Sequence, residues 1–258
     1  KKYLRVLSFL PELFLKGQKL PNYFVFFLTH RCVAFCDHCF DWARREAIHE
    51  EDELTLEEIE RISASMDRIM FMFLTGGDIF LREDVAEIAK VFYRNNHVQK
   101  FQMPSNGHFT GRIVSQLEEM ARSCPEAHFG IGISIDGIGE EHDRIRRLPG
   151  LFDKAMDTIR QVTDLTRQYP NIGINAVMCV SKRNQHTAID TYRYLTDKAG
   201  VSTVFFSVVR GDPRQPDCSG VSPEMYERLC EEIDGRMTRE MSERGIKGFP
   251  FARLVNWK

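Results

Sequence analysis

Short apolar segments alternate with amphipathic helical patterns along most of the chain, and this alternation sets the strongest limit on its fold. A helical pattern follows each segment, and the first such helix has Thr55 at its N-cap and Glu58 three residues later, a capping box. Repeated strand–helix units predict a parallel sheet with right-handed crossovers, either an open doubly wound sheet or an incomplete barrel. The predicted strands are 23–28, 70–74, 98–103, 129–135, 172–180 and 201–209.

Three cysteines lie close together directly after the first predicted strand. Cys32, Cys36 and Cys39 have the spacing Cys-x3-Cys-x2-Cys, and thiolates this close in a short loop are expected to bind one metal centre. Since only three are clustered, a four-iron cluster held by them would have one iron without a protein ligand, open to a substrate or cofactor. The alternative is a zinc site completed by His38 or by a distant cysteine.

Further motifs follow the later strands. Together with the cysteines they resemble the radical S-adenosylmethionine (radical SAM) superfamily, in the SPASM branch, which often carries a C-terminal cluster-binding extension. The resemblance covers roughly residues 23–210 and implies an α/β fold of the partial (β/α)6 TIM-barrel type. The motifs, in chain order, are Thr75-Gly76-Gly77-Asp78, Ser105-Asn106-Gly107, Ser134-Ile135-Asp136-Gly137, His142-Asp143-Arg144-Ile145-Arg146 and Asn175-Ala176-Val177.

The resemblance implies two cofactors and a set of residues that bind them. A [4Fe-4S] cluster would be ligated by Cys32, Cys36 and Cys39, which are the expected metal ligands. S-adenosylmethionine would bind where the later motifs meet, at the ends of the strands. The residues expected to bind it are Gly76, Gly77, Asp78, His38, Asn106, Ser134, Asp136, Arg146 and Asn175.

Some of these positions carry a more specific expectation. Gly77 and its neighbour would let the methionyl amino group approach the backbone, and Asp78 stands where the family usually has glutamate. Arg146 would pair with the methionyl carboxylate, because a guanidinium matches a carboxylate in shape. Asp136 would contact the ribose or the methionyl carboxylate, with a simple Asp-Gly turn as the alternative. For Asn175, as for Asn106, a turn or cap role is the alternative.

The implied function is an enzyme that cleaves S-adenosylmethionine reductively and abstracts a hydrogen atom from its substrate, a peptide or protein. Its expected partners are this substrate, or a small molecule, and an electron donor such as flavodoxin or ferredoxin. The alternatives are a small-molecule dehydrogenase or mutase of the same family, and a non-catalytic iron–sulfur or zinc-binding module. Cys179 and Cys218 are expected to be ordinary structural residues, and the alternative for each is to ligate an auxiliary cluster or donate a hydrogen atom. Cys179 shares a strand face with Asn175 and Val177, so its side chain could point into the cavity.

Composition limits the other function classes. A net charge of -2 and a pI of about 6.5 give no sign of nucleic-acid binding, and no apolar run reaches the ~20 residues of a membrane span. Clustered cysteines favour a reducing, cytoplasmic setting. We predict an N-terminal amphipathic segment at 1–22, a radical SAM domain at 23–240, and a C-terminal extension at 241–258 that leads to a further region.

Overall fold

The computed structural model describes residues 23–243, with side chains through residue 239. The predicted N-terminal segment at 1–22 and most of the extension at 241–258 lie outside these residues. The strands form one parallel sheet in the sequential order β1-β2-β3-β4-β5-β6. A doubly wound sheet would reverse its order at a switch point, so the sequential order confirms the partial barrel. The strands are Tyr23–Thr29 (β1), Phe71–Gly76 (β2), Lys100–Ser105 (β3), His128–Ser134 (β4), Ile172–Val180 (β5) and Val204–Val208 (β6).

Helices connect consecutive strands, as the alternating sequence pattern predicts. The capping box is present, since Thr55 Oγ1 accepts from Glu58 N at 3.3 Å and the Glu58 carboxylate accepts from Thr55 N at 2.9 Å. The longest helix begins at Pro223, a residue that suits the first helical position because the N–H it lacks has no partner within a helix. The helices are α1 (Trp42–Ala47), α2 (Leu56–Ala64), α3 (Val85–Asn96), α4 (Thr110–Ser123), α5 (Glu140–Arg146), α6 (Leu151–Gln168), α7 (Ala188–Arg193) and α8 (Pro223–Glu243).

The two faces of the sheet differ in what covers them. Alternate side chains of a strand point to the same face, and Met72 and Phe101 are fully buried in one cluster with Phe92 of α3. On β1, by contrast, Tyr23 and Phe27 remain 53% and 41% exposed. The helices therefore cover one face, and the opposite, concave face is open. Within residues 23–243, no helix is both long and apolar enough to cross a membrane.

A buried asparagine closes the end of α2. Asn96, the last residue of α3, donates its amide to the carbonyl oxygens of Ser63, Met66 and Asp67 at 2.9–3.0 Å. Its Oδ1 accepts from Ser63 Oγ at 2.6 Å. The last carbonyls of a helix have no partner within that helix, so this side chain supplies the donor that the end of α2 lacks.

We expect Asn96→Ala to lower the free energy of unfolding by about 2 kcal/mol or more, because a buried carbonyl that loses its donor costs about 1–3 kcal/mol. Asn95→Ala is the matched control, since Asn95 is exposed and its loss should change stability by less than about 0.5 kcal/mol. Urea unfolding followed by circular dichroism measures both. Equal stability of the two variants would contradict a structural role for Asn96.

Candidate functional site

A cavity of about 240 Å³ opens beside the loop that follows β1, and all three clustered cysteines, Cys32, Cys36 and Cys39, line it. The carboxyl ends of the later strands supply much of the remaining wall, including Ser105 and Ser134. Parallel α/β folds bind their ligands at this edge of the sheet. The cavity is therefore the candidate functional site.

Backbone hydrogen bonds hold the cysteine loop against the end of α5. Phe35 N donates to Arg146 O at 3.0 Å, and Asp37 N donates to Ile145 O at 2.9 Å. Both acceptors belong to the last turn of a helix, where carbonyl groups need partners from outside the helix. Arg147 ends this helix in the left-handed conformation, with φ of 51°. The position of the loop is thus set by a helix that is distant in sequence.

A buried carboxylate fastens the same loop from a second side. Asp37 is 2% exposed and forms ion pairs with both Arg147 and Arg183. Arg183 also contacts Asp217 at 2.8 Å, and Asp37 O accepts from Gln215 N at 2.8 Å. Because a buried charge is tolerated only when it is paired, these contacts bind the loop to three other parts of the chain.

Burial sets the protonation of the cysteines. It raises the pKa of Cys36 to about 12, and it raises the pKa values of Cys32 and Cys39 as well. Asn106 Nδ2 donates to Cys32 Sγ at 3.6 Å. The thiols are therefore neutral at pH 7 when no metal is bound, and metal coordination would deprotonate them.

The thiols are spread around the cavity rather than gathered at one point. Within residues 23–243, no three His, Cys, Asp or Glu side chains are arranged to hold a single metal ion. An iron–sulfur cluster is larger, and thiolates ligate its separate irons. Three thiols that line one cavity without surrounding a single point therefore fit a cluster better than they fit a lone zinc ion.

The Gly76-Gly77 pair lies against the chain that leads to the first cysteine. Gly77 N donates to Thr29 O at 2.8 Å, and Asp78 N donates to Arg31 O at 2.9 Å. A Cβ on Gly76 would lie 1.9 Å from Thr29 O, and one on Gly77 would lie 2.1 Å from Arg31 O. The group that approaches these glycines so closely is the protein's own backbone. Both glycines also line the cavity, and their contact with a cofactor stays a prediction.

Asp78 faces the interior of the protein instead of the cavity. Its Oδ1 accepts from Phe80 N at 3.1 Å, and its Oδ2 accepts from Ser105 Oγ and Asn106 N at 2.9 Å each. Burial raises the pKa of the carboxyl group, and these hydrogen bonds oppose the rise. The side chain joins the ends of β2 and β3, which is a structural role that the sequence did not predict.

Asp136 is fully buried behind the cavity wall. Its Oδ1 accepts from Cys179 N at 2.8 Å, while its Oδ2 lies 2.7 Å from Arg146 Nη2 and 3.6 Å from His38 Nε2. Burial disfavours the charged carboxylate, but the charge of Arg146, with the hydrogen bond from Cys179 N, outweighs burial, so the pKa of Asp136 is lowered. Arg146 therefore has an anionic partner within the protein, and its buried Nε has no acceptor among the described residues.

The predicted residues divide into two groups. Asn175 lies along β5, where its Oδ1 accepts from Gln102 Nε2 at 3.3 Å, and it does not line the cavity. His38 lines the cavity. Burial lowers the pKa of its imidazole, and its Nδ1 has no hydrogen-bond partner among the described residues. The residues at the cavity are Gly76, Gly77, His38, Asn106, Ser134 and Arg146, and those behind its wall are Asp78, Asp136 and Asn175.

The cavity also includes residues that were not predicted. His30 and Asp41 both line it, with His30 Nδ1 2.6 Å from Asp41 Oδ2. Cys179 lines the cavity too, which agrees with the expectation from strand parity that its side chain could point there, and burial raises its pKa to about 12. The spacing of His30 and Asp41 in the sequence did not indicate that their side chains would form a pair.

Comparisons with known proteins agree with this geometry. A family model described as "Radical SAM superfamily" matches residues 26–195. Fe-coproporphyrin III synthase of Methanosarcina barkeri (strain Fusaro / DSM 804) is 30% identical over 155 residues, covering 54% of this chain and 36% of that protein. The antilisterial bacteriocin subtilosin biosynthesis protein AlbA of Bacillus subtilis (strain 168) is 24% identical over 181 residues, covering 69% and 37% respectively.

A solved structure, native anSMEcpe with bound AdoMet and Cp18Cys peptide, has a TM-score of 0.59 with 17% sequence identity. The match covers 87% of this chain and 61% of that one. At this identity the likeness establishes a shared fold. The chain spans less than half the length of the two curated relatives named here.

We expect Gly77→Ala to destabilise the protein by more than about 2 kcal/mol, because the added methyl group would meet backbone oxygen atoms that cannot move aside cheaply. Gly111→Ala is the matched control: nothing lies within 4 Å of its Cβ position in α4, and alanine favours a helix. Thermal or urea unfolding measures both. If Gly77→Ala is as stable as Gly111→Ala, the close backbone contact is wrong.

Stability should also depend on pH through His142. This residue is fully buried, its Nδ1 accepts from Asp136 N at 3.1 Å, and burial lowers its pKa from 6.5 to about 4. The unfolded state therefore binds more protons between these values, and stability is lost as the pH falls from 6.5 to 4, by roughly 3 kcal/mol in total. Urea unfolding across this range should show a shallower pH dependence for His142→Asn. An unchanged slope would contradict the buried neutral imidazole.

Proposed function

Because the chain belongs to the radical SAM superfamily, we propose that it is an enzyme in which Cys32, Cys36 and Cys39 hold a [4Fe-4S] cluster beside bound S-adenosylmethionine. When bound, these cofactors supply reductive cleavage of a carbon–sulfur bond and abstraction of a hydrogen atom from the substrate. The observation that carries the proposal is that three cysteine thiols, one buried and two partly buried, line one cavity at the carboxyl ends of parallel strands.

The protein's own part is to fix the ligand loop and to keep the site dry. Paired Asp37 and the end of α5 hold the loop, so the thiols keep their positions when a cluster binds. Cys36 is 9% exposed and Asn106 is 5% exposed, which limits the access of water. The Asn106 amide directed at Cys32 Sγ would stabilise a thiolate, since hydrogen bonds to charged groups are the stronger ones.

Two buried nitrogen atoms support the binding of S-adenosylmethionine at the same cavity. Arg146 Nε and His38 Nδ1 have no partner among the described residues, and buried polar atoms in proteins are nearly always satisfied. A bound ligand would satisfy them. For Arg146, the ion pair with Asp136 occupies Nη2 and leaves Nε as the donor for the methionyl carboxylate.

We assign the substrate to the class of peptides or proteins. A structural neighbour contains a peptide, and one relative is named for the biosynthesis of a bacteriocin. The open concave face of the sheet would suit such a substrate. Three aromatic side chains of the two edge strands are each more than 40% exposed: Tyr23 and Phe27 on β1, and Phe205 on β6. A small-molecule substrate is the second candidate, favoured by the relative named as a coproporphyrin synthase. A non-catalytic module would not need the cavity beside the cysteines.

Reductive cleavage consumes an electron, so the proposal includes an electron donor such as flavodoxin or ferredoxin.

Anaerobic protein reconstituted with iron and sulfide should bind about four irons at this site. With dithionite and S-adenosylmethionine it should form 5′-deoxyadenosine. The triple variant Cys32→Ala, Cys36→Ala, Cys39→Ala should lose both properties, whereas Cys230→Ala on α8 should retain them. Chromatography of the nucleoside and iron analysis measure these outcomes. Tightly bound zinc without iron–sulfur absorbance would contradict the proposal.

A further inference from the structure

We propose that the outer surface of the cysteine loop is the docking site for a protein electron carrier with acidic residues around its redox centre. The surface consists of Phe35, Arg45 and Arg214 and is called the Phe35 face. The inference rests on the proposed function, since only a cluster that must be reduced requires this partner.

An exposed aromatic ring stands beside a buried metal ligand on this face. Phe35 is 42% exposed, although the next residue, Cys36, is only 9% exposed. The hydrogen bond from Phe35 N to Arg146 O fixes the backbone, so the ring is held outward and does not line the cavity. Exposed apolar groups rimmed by polar residues are typical of interaction sites.

Two guanidinium groups frame this ring. The Arg45 and Arg214 guanidinium carbons lie 3.6 Å and 5.1 Å from the centre of the Phe35 ring. Arg45 donates to the carbonyl oxygens of Cys32 and Ala34, which are neutral acceptors, and no carboxylate among the described residues pairs with it. Arg214 forms an ion pair with Glu46 at 3.6 Å, and the Glu46 side chain is half-exposed. The face therefore carries more positive than negative charge.

An electron carrier could approach the cysteines from the Phe35 face or through the cavity. The cavity is closed to a protein once S-adenosylmethionine and the substrate are bound. S-adenosylmethionine and the substrate would occupy the cavity of about 240 Å³. Phe35 and Arg214 lie outside its wall, whereas Arg45 belongs to both the wall and the Phe35 face, and Arg214 N donates to Cys39 O at 3.0 Å. A carrier seated on the Phe35 face would be separated from the cluster by little more than the ligand loop itself.

The chemistry of the face identifies the class of partner. Arginines around an aromatic ring favour a partner that presents carboxylates, and complementary charge speeds association. Aromatic and arginine side chains are also the commonest anchors of protein interfaces. Complexes that only pass an electron are small, below about 1,200 Å² of buried surface, so one ring with its flanking charges is sufficient.

The test uses flavodoxin, an acidic one-electron carrier, in its hydroquinone form with the anaerobically reconstituted full chain. Stopped-flow absorbance gives the second-order rate constant for cluster reduction. We expect Arg214→Glu to lower this constant by about tenfold at low ionic strength, and added salt to slow the wild type and narrow the difference. Arg214→Lys should retain the wild-type rate. Arg167→Glu, the same charge change at a 75% exposed position on α6, should also leave it unchanged.

Two further arms separate this inference from the proposed function. Dithionite should reduce the cluster and support cleavage of S-adenosylmethionine equally in all variants, and failure of that arm in the wild type would count against the proposed function alone. Oxidised flavodoxin titrated against the chain without cluster should bind about tenfold more weakly to Arg214→Glu than to Arg167→Glu, by the same loss of charge complementarity. Equal rates and equal affinities would overturn the inference. So would sedimentation showing that Arg214→Glu dissociates a dimer of this chain.

Discussion

The site depends on the close approach of two backbone segments, the end of β2 at Gly76-Gly77 and the segment from Thr29 to Arg31. Hydrogen bonds at 2.8 Å and 2.9 Å join the segments, and only residues without a Cβ leave enough room for them. The first cysteine follows immediately. On its other side, the loop rests on the last carbonyls of α5. Because both supports are backbone groups of regular elements, the sheet and one helix determine where the thiols lie.

Three buried carboxylates reinforce this arrangement. Asp37 pairs with arginines, Asp78 accepts hydrogen bonds from the end of β3, and Asp136 is held by Arg146 and Cys179 N. Removing one partner of a buried ion pair lowers the stability of the protein by more than the intact pair contributes, because the remaining charge is buried without a partner. The carboxylates thus specify one conformation of the site. The predicted cofactor-binding residues that line the cavity itself are neutral or cationic.

Much of the fold was predictable from the sequence, because long periodic segments carry a clear signal. The strand Ile172–Val180 and the capped start of α2 after Thr55 match the prediction. The short helices Trp42–Ala47 and Glu140–Arg146 were not predicted, since one or two turns are too short to show a period. The motifs indicated which residues lie near the strand ends. They could not indicate that Asp78 faces inward, because Asp78 follows the end of β2 at Gly76 and strand parity no longer fixes the direction of its side chain.

The end of α5 has a consequence for how the site opens. A left-handed backbone conformation costs a residue with a Cβ about 1–2 kcal/mol relative to the usual helical one, and Arg147 adopts it. The ion pair with Asp37 offsets this strain only while the cysteine loop is in place. If the cysteine loop moved away, Arg147 would lose its ion pair with Asp37, and the end of α5 would relax to another backbone conformation. The two segments therefore form one cooperative unit, and the ligand loop is not expected to open independently of the helix that supports it.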